Sequence, residues 1–187
     1  MPKIINTKKL FLTVTLLLAG TPVLAELTDE RQIVNTIHNV GFFADQGDWD
    51  QLALQFHLEG AVLDYTSYAS ASAGTSSDLP RLLPCEIVQA WKTVLPGYDR
   101  THHLMGTESV QINGDMATVT SNVYATHILE NEGEDLWVFI GDYRHELIKT
   151  DQGWKITLMQ ANLRAQLGNV NLPALAKARL RERSSAK

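Results

Sequence analysis

Residues 100–128, RTHHLMGTESVQINGDMATVTSNVYATHI, decide the fold. Asn113-Gly114 divides this stretch near its middle, and an Asn-Gly pair favours the two-residue turn of a β-hairpin. The half that follows the turn alternates apolar residues with polar ones, as a strand with one buried face does. The stretch therefore predicts a long antiparallel hairpin, with strands over about 101–112 and 115–130.

Two more strand-like runs follow the hairpin, at 135–150 and 154–160, and short turn-forming segments separate them. The part of the chain before the hairpin has a mostly helical pattern. It predicts a first helix capped by Thr28, a second from Asp48 to Gly60, a third from Pro84 to Pro96-Gly97, and a strand at 61–68. Helices that precede an antiparallel meander indicate an α+β fold, in which a curved antiparallel sheet wraps around the N-terminal helices.

The N-terminal segment has the three parts of a secretory signal peptide. Three lysines precede an apolar run at 10–18, and Val23-Leu24-Ala25 forms a small-residue cleavage site. The run is too short for a stable membrane span, and Pro22 with the cleavage site argues against an uncleaved anchor. Residues 1–25 are therefore predicted to be removed on export to the periplasm or the cell exterior, and the mature chain to begin near Glu26.

The 162 residues that remain suit one domain with a sizeable core. They carry 13 basic and 21 acidic residues, a formal charge of −8, which argues against nucleic acid or an anionic membrane as a partner. Cys85 is the single cysteine, so an internal disulfide is excluded. We expect Cys85 to be a small buried residue.

Two polar groups fall on positions that the pattern predicts to be buried. Asp45 lies on the apolar stripe of the first helix, close on the helical wheel to Val34 and Gly41. His127 lies at the end of the apolar face of the second hairpin strand. Because a buried carboxylate and a buried imidazole are costly unless they pair, we expect an Asp45–His127 pair.

His102 and His103 are adjacent at the start of the hairpin, and adjacent strand residues point to opposite faces. His103 shares a face with Thr101 and Met105, whereas His102 shares one with Leu104. At most one of the two histidines can therefore face the interior.

Each of these residues also has a purely structural interpretation. A histidine at a strand end is usually a hydrogen-bonded core or rim residue, and an aspartate at a helix end usually caps the helix or is solvated. Tyr65 could be a packed ring with its hydroxyl at the surface. A metal site of Asp45, His103 and His127 is a further alternative, because two histidines and a carboxylate can bind iron or zinc.

Five segments give the chain a resemblance to a known family. They are ADQGDWDQL at 44–52, LDYTSY at 63–68, THHLMG at 101–106, ATHI at 125–128 and GDYRHELIKTDQGWKI at 141–156. In this order and spacing they resemble the SnoaL-like and scytalone dehydratase group of the nuclear transport factor 2-like superfamily, over roughly 28–160. The resemblance implies a cone-shaped sheet in a SnoaL-like domain at 26–162, followed by a C-terminal extension at 163–187 that could form a short helix.

The resemblance also implies roles for four residues. Asp45 takes the place of the acid that orients a histidine, and Tyr65 that of the tyrosine that helps to polarise the substrate carbonyl. His103 takes the place of the histidine in a T-x-H-x-x-G pattern, and His127 that of a histidine on the next strand. We therefore expect His103, rather than His102, to face inward, unless a β-bulge reverses the faces.

Three positions depart from the family's pattern. Ala44 stands where a second tyrosine is expected, and Gly141 and Tyr143 stand where a serine and an asparagine are expected. Those positions shape substrate binding, so the substrate need not resemble scytalone. We predict that Tyr143 and Trp91 contact it.

The activity that the resemblance implies is that of a dehydratase-like lyase or isomerase, acting by proton abstraction next to the carbonyl of a small, partly apolar substrate. A histidine can take and return that proton, and a phenol can donate to the developing enolate oxygen. This chemistry requires neither a metal nor an organic cofactor. The alternative is a non-catalytic module of the same fold that binds a small ligand or dimerises.

Self-association is a further expectation. The family's habit and the exposed face of a curved sheet, which needs cover, predict a homodimer or homotrimer. Tyr124 and Trp137 are taken as outward residues of that interface.

Overall fold

The computed structural model describes residues 21–68, 79–130 and 133–186. The helices are α1 (Thr21–Gln46), α2 (Trp49–Ala53), α3 (Pro84–Lys92) and α4 (Leu172–Ser185), and the strands are β1 (Ala61–Asp64), β2 (Arg81–Leu82), β3 (Arg100–Asn113), β4 (Met116–Ile128), β5 (Leu136–Thr150) and β6 (Gly153–Gly168). Short 3-10 turns occupy 66–68 and 95–97. Most of the predicted signal peptide, residues 1–25, lies outside the described residues.

The strands of the described residues form one curved sheet in the order β2-β1-β6-β5-β4-β3. The predicted hairpin is present, with Asn113 opposite Met116 at the turn and Thr101 opposite His127 at the far end. The α+β class is confirmed, but the sheet is mixed, because β1 pairs with β6 in parallel. A long crossover separates these two strands in the chain, so they can run in the same direction side by side.

Helix α1 packs on the inner face of the sheet through residues spaced three or four apart, as a buried helical stripe requires. These residues are Ile33, Ile37, Val40 and Ala44, all buried. Gly41 lies on the same stripe, where a Cβ would stand 2.9 Å from the Cβ of His103. The missing side chain therefore lets α1 approach β3 closely and brings Asp45, one turn further on, against the start of that strand.

Several predicted element ends are wrong, among them that of α3, which ends at Lys92 and not at Pro96-Gly97, and that of β6, which ends at Gly168 and not at 160. Helix α1 already runs through Thr28, so that residue is not its N-cap. Asp48 does cap α2, accepting from the backbone N–H of Gln51 at 3.2 Å, but α2 ends at Ala53 because the chain then pairs Phe56 with Ile156. Strand β1 ends at Asp64, whose carboxylate accepts from the backbone N–H and the hydroxyl of Thr66 and so turns the chain.

The C-terminal part of the chain is tied to the rest of the domain. Strand β6 continues past residue 162, and α4 packs so closely that a Cβ on Gly97 would lie 2.2 Å from the carbonyl oxygen of Ala176. The Arg179 guanidinium donates to the Asp99 carboxylate at 2.7 Å and to the Glu130 carbonyl at 2.9 Å. Helix α4 is thus fixed across the end of the sheet where β3 begins.

Cys85 is exposed, so the expectation of a buried cysteine is wrong. It occupies the first turn of α3, whereas Ile87 and Val88 supply the buried side of that helix. Within 21–68, 79–130 and 133–186, none of the helices combines the length and the apolar character that a membrane crossing needs.

Candidate active site

A cavity of about 480 Å³ lies between α1, α3, the inner face of the sheet and α4. Aromatic side chains dominate its wall: Tyr65, Trp91, Tyr98, Trp137, Phe139 and Tyr143. His103 and His127 also line it, and Gln166 and Lys177 line it on the side of α4. None of the described lining residues is acidic. A cavity of this size with a few polar groups in an apolar wall is typical of a site for a small molecule.

Asp45 and His103 form a hydrogen-bonded pair at the cavity wall. The Nδ1 of His103 lies 2.7 Å from Oδ1 of Asp45, and the two side chains are only 13% and 10% exposed. Oδ1 also accepts from the Thr101 hydroxyl at 2.7 Å, and Oδ2 accepts from the backbone N–H of His103 at 2.8 Å. The predicted Asp45–His127 pair is therefore wrong, because β3, and not β4, is the strand that lies against this turn of α1.

The hydrogen bonds keep Asp45 ionised. Burial by itself raises the pKa of this carboxyl, but the hydrogen bond and the charge of His103 outweigh it, and the net pKa lies below its usual value. A carboxylate can only accept, so Nδ1 of His103 carries the proton that it shares with Asp45. Nε2 makes no hydrogen bond with a described residue and is the nitrogen left for the cavity.

His102 and His103 face opposite ways, as the strand alternation predicts. The His102 side chain is 72% exposed, and its Nδ1 is 3.9 Å from Asp45, too far for a hydrogen bond. The bulge that could have reversed the faces lies further along β3, between Gly106 and Ser109. His103 is therefore the histidine of this pair that reaches the cavity.

His127 is buried among aromatic rings. Its ring centroid lies 4.5 Å from that of Trp137, 4.9 Å from Tyr98 and 5.5 Å from His103, which it meets edge-on. Nδ1 has no hydrogen-bond partner among the described residues. Burial, with a smaller contribution from the charge of His103, lowers the pKa of His127 to about 3. This imidazole is therefore neutral near pH 7.

Tyr65 and Trp91 lie together on the wall formed by the end of β1 and by α3. Burial raises the pKa of the Tyr65 phenol, and a hydrogen bond from the Trp91 indole opposes the rise only in part. Trp91 also packs edge-on against Phe56, with ring centroids 6.0 Å apart. Tyr143 stacks on Phe139 on the opposite, sheet-side wall. Five of the six predicted site residues thus line one cavity, and Asp45 supports His103 beside it.

Tyr98 is a cavity residue that sequence reasoning missed. It is 7% exposed, lies against His127, and its hydroxyl makes no hydrogen bond with a described residue. Burial raises the pKa of this phenol, so it stays a donor. No strand pattern could have indicated it, because the 3-10 turn at 95–97, and not the alternation of β3, sets its direction.

The prediction that Trp137 is an outward residue of a subunit interface is wrong. Trp137 is buried and lines the cavity, because its register partner on β4 is the inward His127. Tyr124 is 41% exposed on the outer face, as predicted. The alternative metal site is not formed either: within the described part of the chain, no group of three or more histidine, cysteine, aspartate or glutamate side chains is placed to hold a metal ion.

The curved sheet, the long helix on its inner face and the enclosed cavity define a small α+β barrel of the kind that binds small molecules. The chain belongs to the SnoaL-like domain family, whose sequence model matches residues 25–160. The resemblance to SnoaL-like and nuclear transport factor 2-like proteins is thereby confirmed.

Several solved structures share the fold. The protein Kfla4162 from Kribbella flavida is 22% identical, with a TM-score of 0.70 over 81% of this chain and 99% of that chain. A candidate scytalone dehydratase from Novosphingobium aromaticivorans is 16% identical, with a TM-score of 0.64 over 78% and 90%. A hexachlorocyclohexane dehydrochlorinase, LinA-type3 from Novosphingobium barchaimii, is 13% identical, with a TM-score of 0.63 over 79% and 94%. No match was found among curated proteins.

Proposed function

We propose that the protein is an exported, cofactor-independent lyase or isomerase that removes a proton next to the carbonyl of a small, partly apolar substrate. The observation that carries the proposal is the Asp45–His103 pair beside an aromatic cavity, with Nε2 of His103 making no hydrogen bond to a described residue. An ionised aspartate behind an imidazole is the arrangement that prepares a histidine to act as a base.

In the first step, Nε2 of His103 takes the proton from the carbon next to the carbonyl, and the electron pair of the C–H bond moves to the carbonyl oxygen as an enolate. The Asp45 carboxylate stabilises the imidazolium that forms, through its 2.7 Å contact with Nδ1. His127 is not suited to hold the abstracted proton, because its pKa of about 3 keeps the imidazole neutral near pH 7. The acid–base function therefore falls to His103.

The enolate oxygen needs a donor, and two phenols of the cavity can supply it. The pKa values of Tyr65 and Tyr98 are both raised by burial, so both keep their protons. Of the two, Tyr98 has a hydroxyl that makes no hydrogen bond with a described residue, which makes it the better placed donor to a substrate. Tyr98 supplies the second phenol of the site, because Ala44 stands at the position where the family's pattern has a second tyrosine.

In the second step, the enolate collapses and the proton on His103 leaves with the product. If the neighbouring carbon carries a hydroxyl, that group departs with the proton as water, and a C=C bond forms. If that carbon instead belongs to a C=C bond, the proton returns to the far carbon of this bond, and the double bond moves into conjugation with the carbonyl. The names of two structural neighbours, a candidate dehydratase and a dehydrochlorinase, both denote eliminations and support this reaction class.

The proposal is tested by hydrogen–deuterium exchange in D₂O with a panel of cyclic ketones and β-hydroxyketones, followed by NMR. The wild-type protein should exchange the protons next to the carbonyl of at least one compound. His103→Ala should lose this exchange by about 10²–10⁴, while His102→Ala keeps it. Exchange by His103→Ala at the wild-type rate, or no exchange above background by the wild type, would favour the non-catalytic binding module instead.

Export is part of the proposal and rests on the sequence of residues 1–25. Mass spectrometry of the mature protein should find an N-terminus near Glu26, in the periplasm or the medium. Soluble protein that keeps Met1 would contradict it.

Self-association as a homodimer or homotrimer is proposed from the exposed outer face of the sheet, which carries Leu104, Met116 and Tyr124. Light scattering at micromolar concentration should give a multiple of the chain mass. A mass of one chain would contradict the proposal.

A further inference from the structure

Two side chains that line the cavity near α4 carry hydrogen-bond donors for which the described residues supply no acceptor. Gln166 comes from the end of β6, and Lys177 from the second turn of α4. The lining residues that the structure describes include no carboxylate. This side of the cavity therefore differs from the Asp45–His103 side, where each donor meets an acceptor.

The orientation of the Gln166 amide is fixed by Trp137. The indole Nε1 of Trp137 lies 2.8 Å from Oε1 of Gln166. An indole nitrogen can only donate, so the atom that it contacts must be the amide oxygen. The amide nitrogen of Gln166, which makes no hydrogen bond with a described residue, is left as a donor.

Lys177 adds a positive charge to the wall of the same cavity. Its ammonium group forms no ion pair with a residue in the described ranges, in contrast to Arg179 on the same helix, which binds Asp99 at 2.7 Å. The position of Lys177 is held by its neighbour Ala176, which packs against Gly97. The ammonium is exposed at the cavity, so it can bind a ligand without first breaking a protein contact.

We propose that Gln166 and Lys177 form a subsite for an oxyanion, and that the substrate is therefore a small aromatic or alicyclic carboxylic acid. The rings occupy the aromatic part of the cavity, and the carboxylate accepts from the amide nitrogen of Gln166 and from Nζ of Lys177. An amide donor beside a cation suits a carboxylate, whose two oxygens can accept one hydrogen bond each. This inference rests on the proposed function where it places the reacting carbon of the substrate near His103. The binding of the carboxylate does not depend on that function.

The test is isothermal titration of two probes of almost equal shape, 2-naphthoate and 2-naphthamide, into the full mature chain. The wild type should bind the acid about 10- to 150-fold more tightly than the amide, the range of one hydrogen bond to a charged group. Lys177→Met and Gln166→Leu should each reduce that preference. Arg181→Met, one turn further along α4, removes the same charge away from the cavity and should leave the preference unchanged.

Equal binding of the two probes, binding of neither, or a preference that survives in Lys177→Met would overturn the subsite. The result is separable from the proposed function, because titration needs no turnover. A carboxylate preference together with an inactive wild type in the exchange assay would support the subsite and contradict the proposed enzymatic activity. Exchange activity without a carboxylate preference would support the activity and contradict the subsite.

Discussion

His103 and His145 both point to the inner side of the same sheet, yet they differ in their hydrogen-bond partners and in their access to the cavity. His103 donates to an ionised aspartate and reaches a cavity. His145, on β5, is fully buried, and neither of its ring nitrogens has a hydrogen-bond partner among the described residues. Burial, with a smaller contribution from the charge of His38, lowers the pKa of His145 to about 3. Burial alone thus keeps His145 neutral and out of contact with a ligand, whereas an acid partner and access to the cavity suit His103 to the proposed role of a base.

Removal of the Asp45 carboxylate should leave His103, like His145, without an acid partner and should therefore remove its proposed activity as a base. Asp45→Asn replaces one oxygen with an NH₂ group, which must then face either Nδ1–H or the backbone N–H of His103, both of them donors. We expect a loss of about 10²–10⁴ in turnover or exchange rate, with the fold retained. Steady-state kinetics and circular dichroism measure the two effects.

Asp48→Asn is the matched control, because asparagine caps a helix as well as aspartate does and α2 should persist. It should keep the wild-type rate. If Asp45→Asn retained more than a tenth of the activity, the carboxylate would not be what activates His103.

The second prediction concerns stability and pH. His145 takes up a proton near pH 6.5 when the chain is unfolded but only near pH 3 when it is folded. The unfolded state therefore binds more protons below pH 6.5, so stability is complete above that pH and falls as the pH falls toward 3. At pH 5 the loss from this residue is about 2 kcal/mol.

His145→Leu should remove that loss. Urea denaturation at pH 7.5 and pH 5.0 should show that the variant loses less free energy of unfolding between the two values than the wild type does. His102→Leu is the control, because that side chain is exposed and should leave the pH dependence unchanged. The same pH dependence in His145→Leu and in the wild type would show that His145 is not a buried neutral group.

The smallest expected effect extends the comparison to the tyrosines. Tyr65 already has a hydrogen bond from Trp91, whereas the hydroxyl of Tyr98 has no hydrogen-bond partner within the part of the chain that the structure describes. Tyr98→Phe should lower kcat by about tenfold, because Tyr65 remains as a second donor. Tyr124→Phe, on the outer face, is the control for the same chemical change. If kcat stayed the same in Tyr98→Phe, the proposed enolate donor would be wrong.

The sequence predicted the hairpin from a local rule, the Asn-Gly turn. The alternation of a strand showed that only one of His102 and His103 can face inward, and the family resemblance indicated His103. The partner of Asp45 depends on which strand lies beneath α1, and no local pattern contains that information. Trp137 was placed on the wrong face for a related reason, since its direction follows from its pairing with His127. The position of Gln166 depends on the pairing of β6 with β5, and that of Lys177 on the contact between Gly97 and Ala176.

The absence of a side chain at Gly41 also limits how the cavity can change over evolutionary time. Any larger residue there would push α1 away from His103 and separate His103 from the Asp45 carboxylate, so that wall is closed to variation. Helix α4 contributes Lys177 and Pro173 to the cavity from outside the matched family segment, and neither touches the Asp45–His103 pair. New substrate preferences should therefore arise by substitution on α4, and a library for altered specificity should be built there.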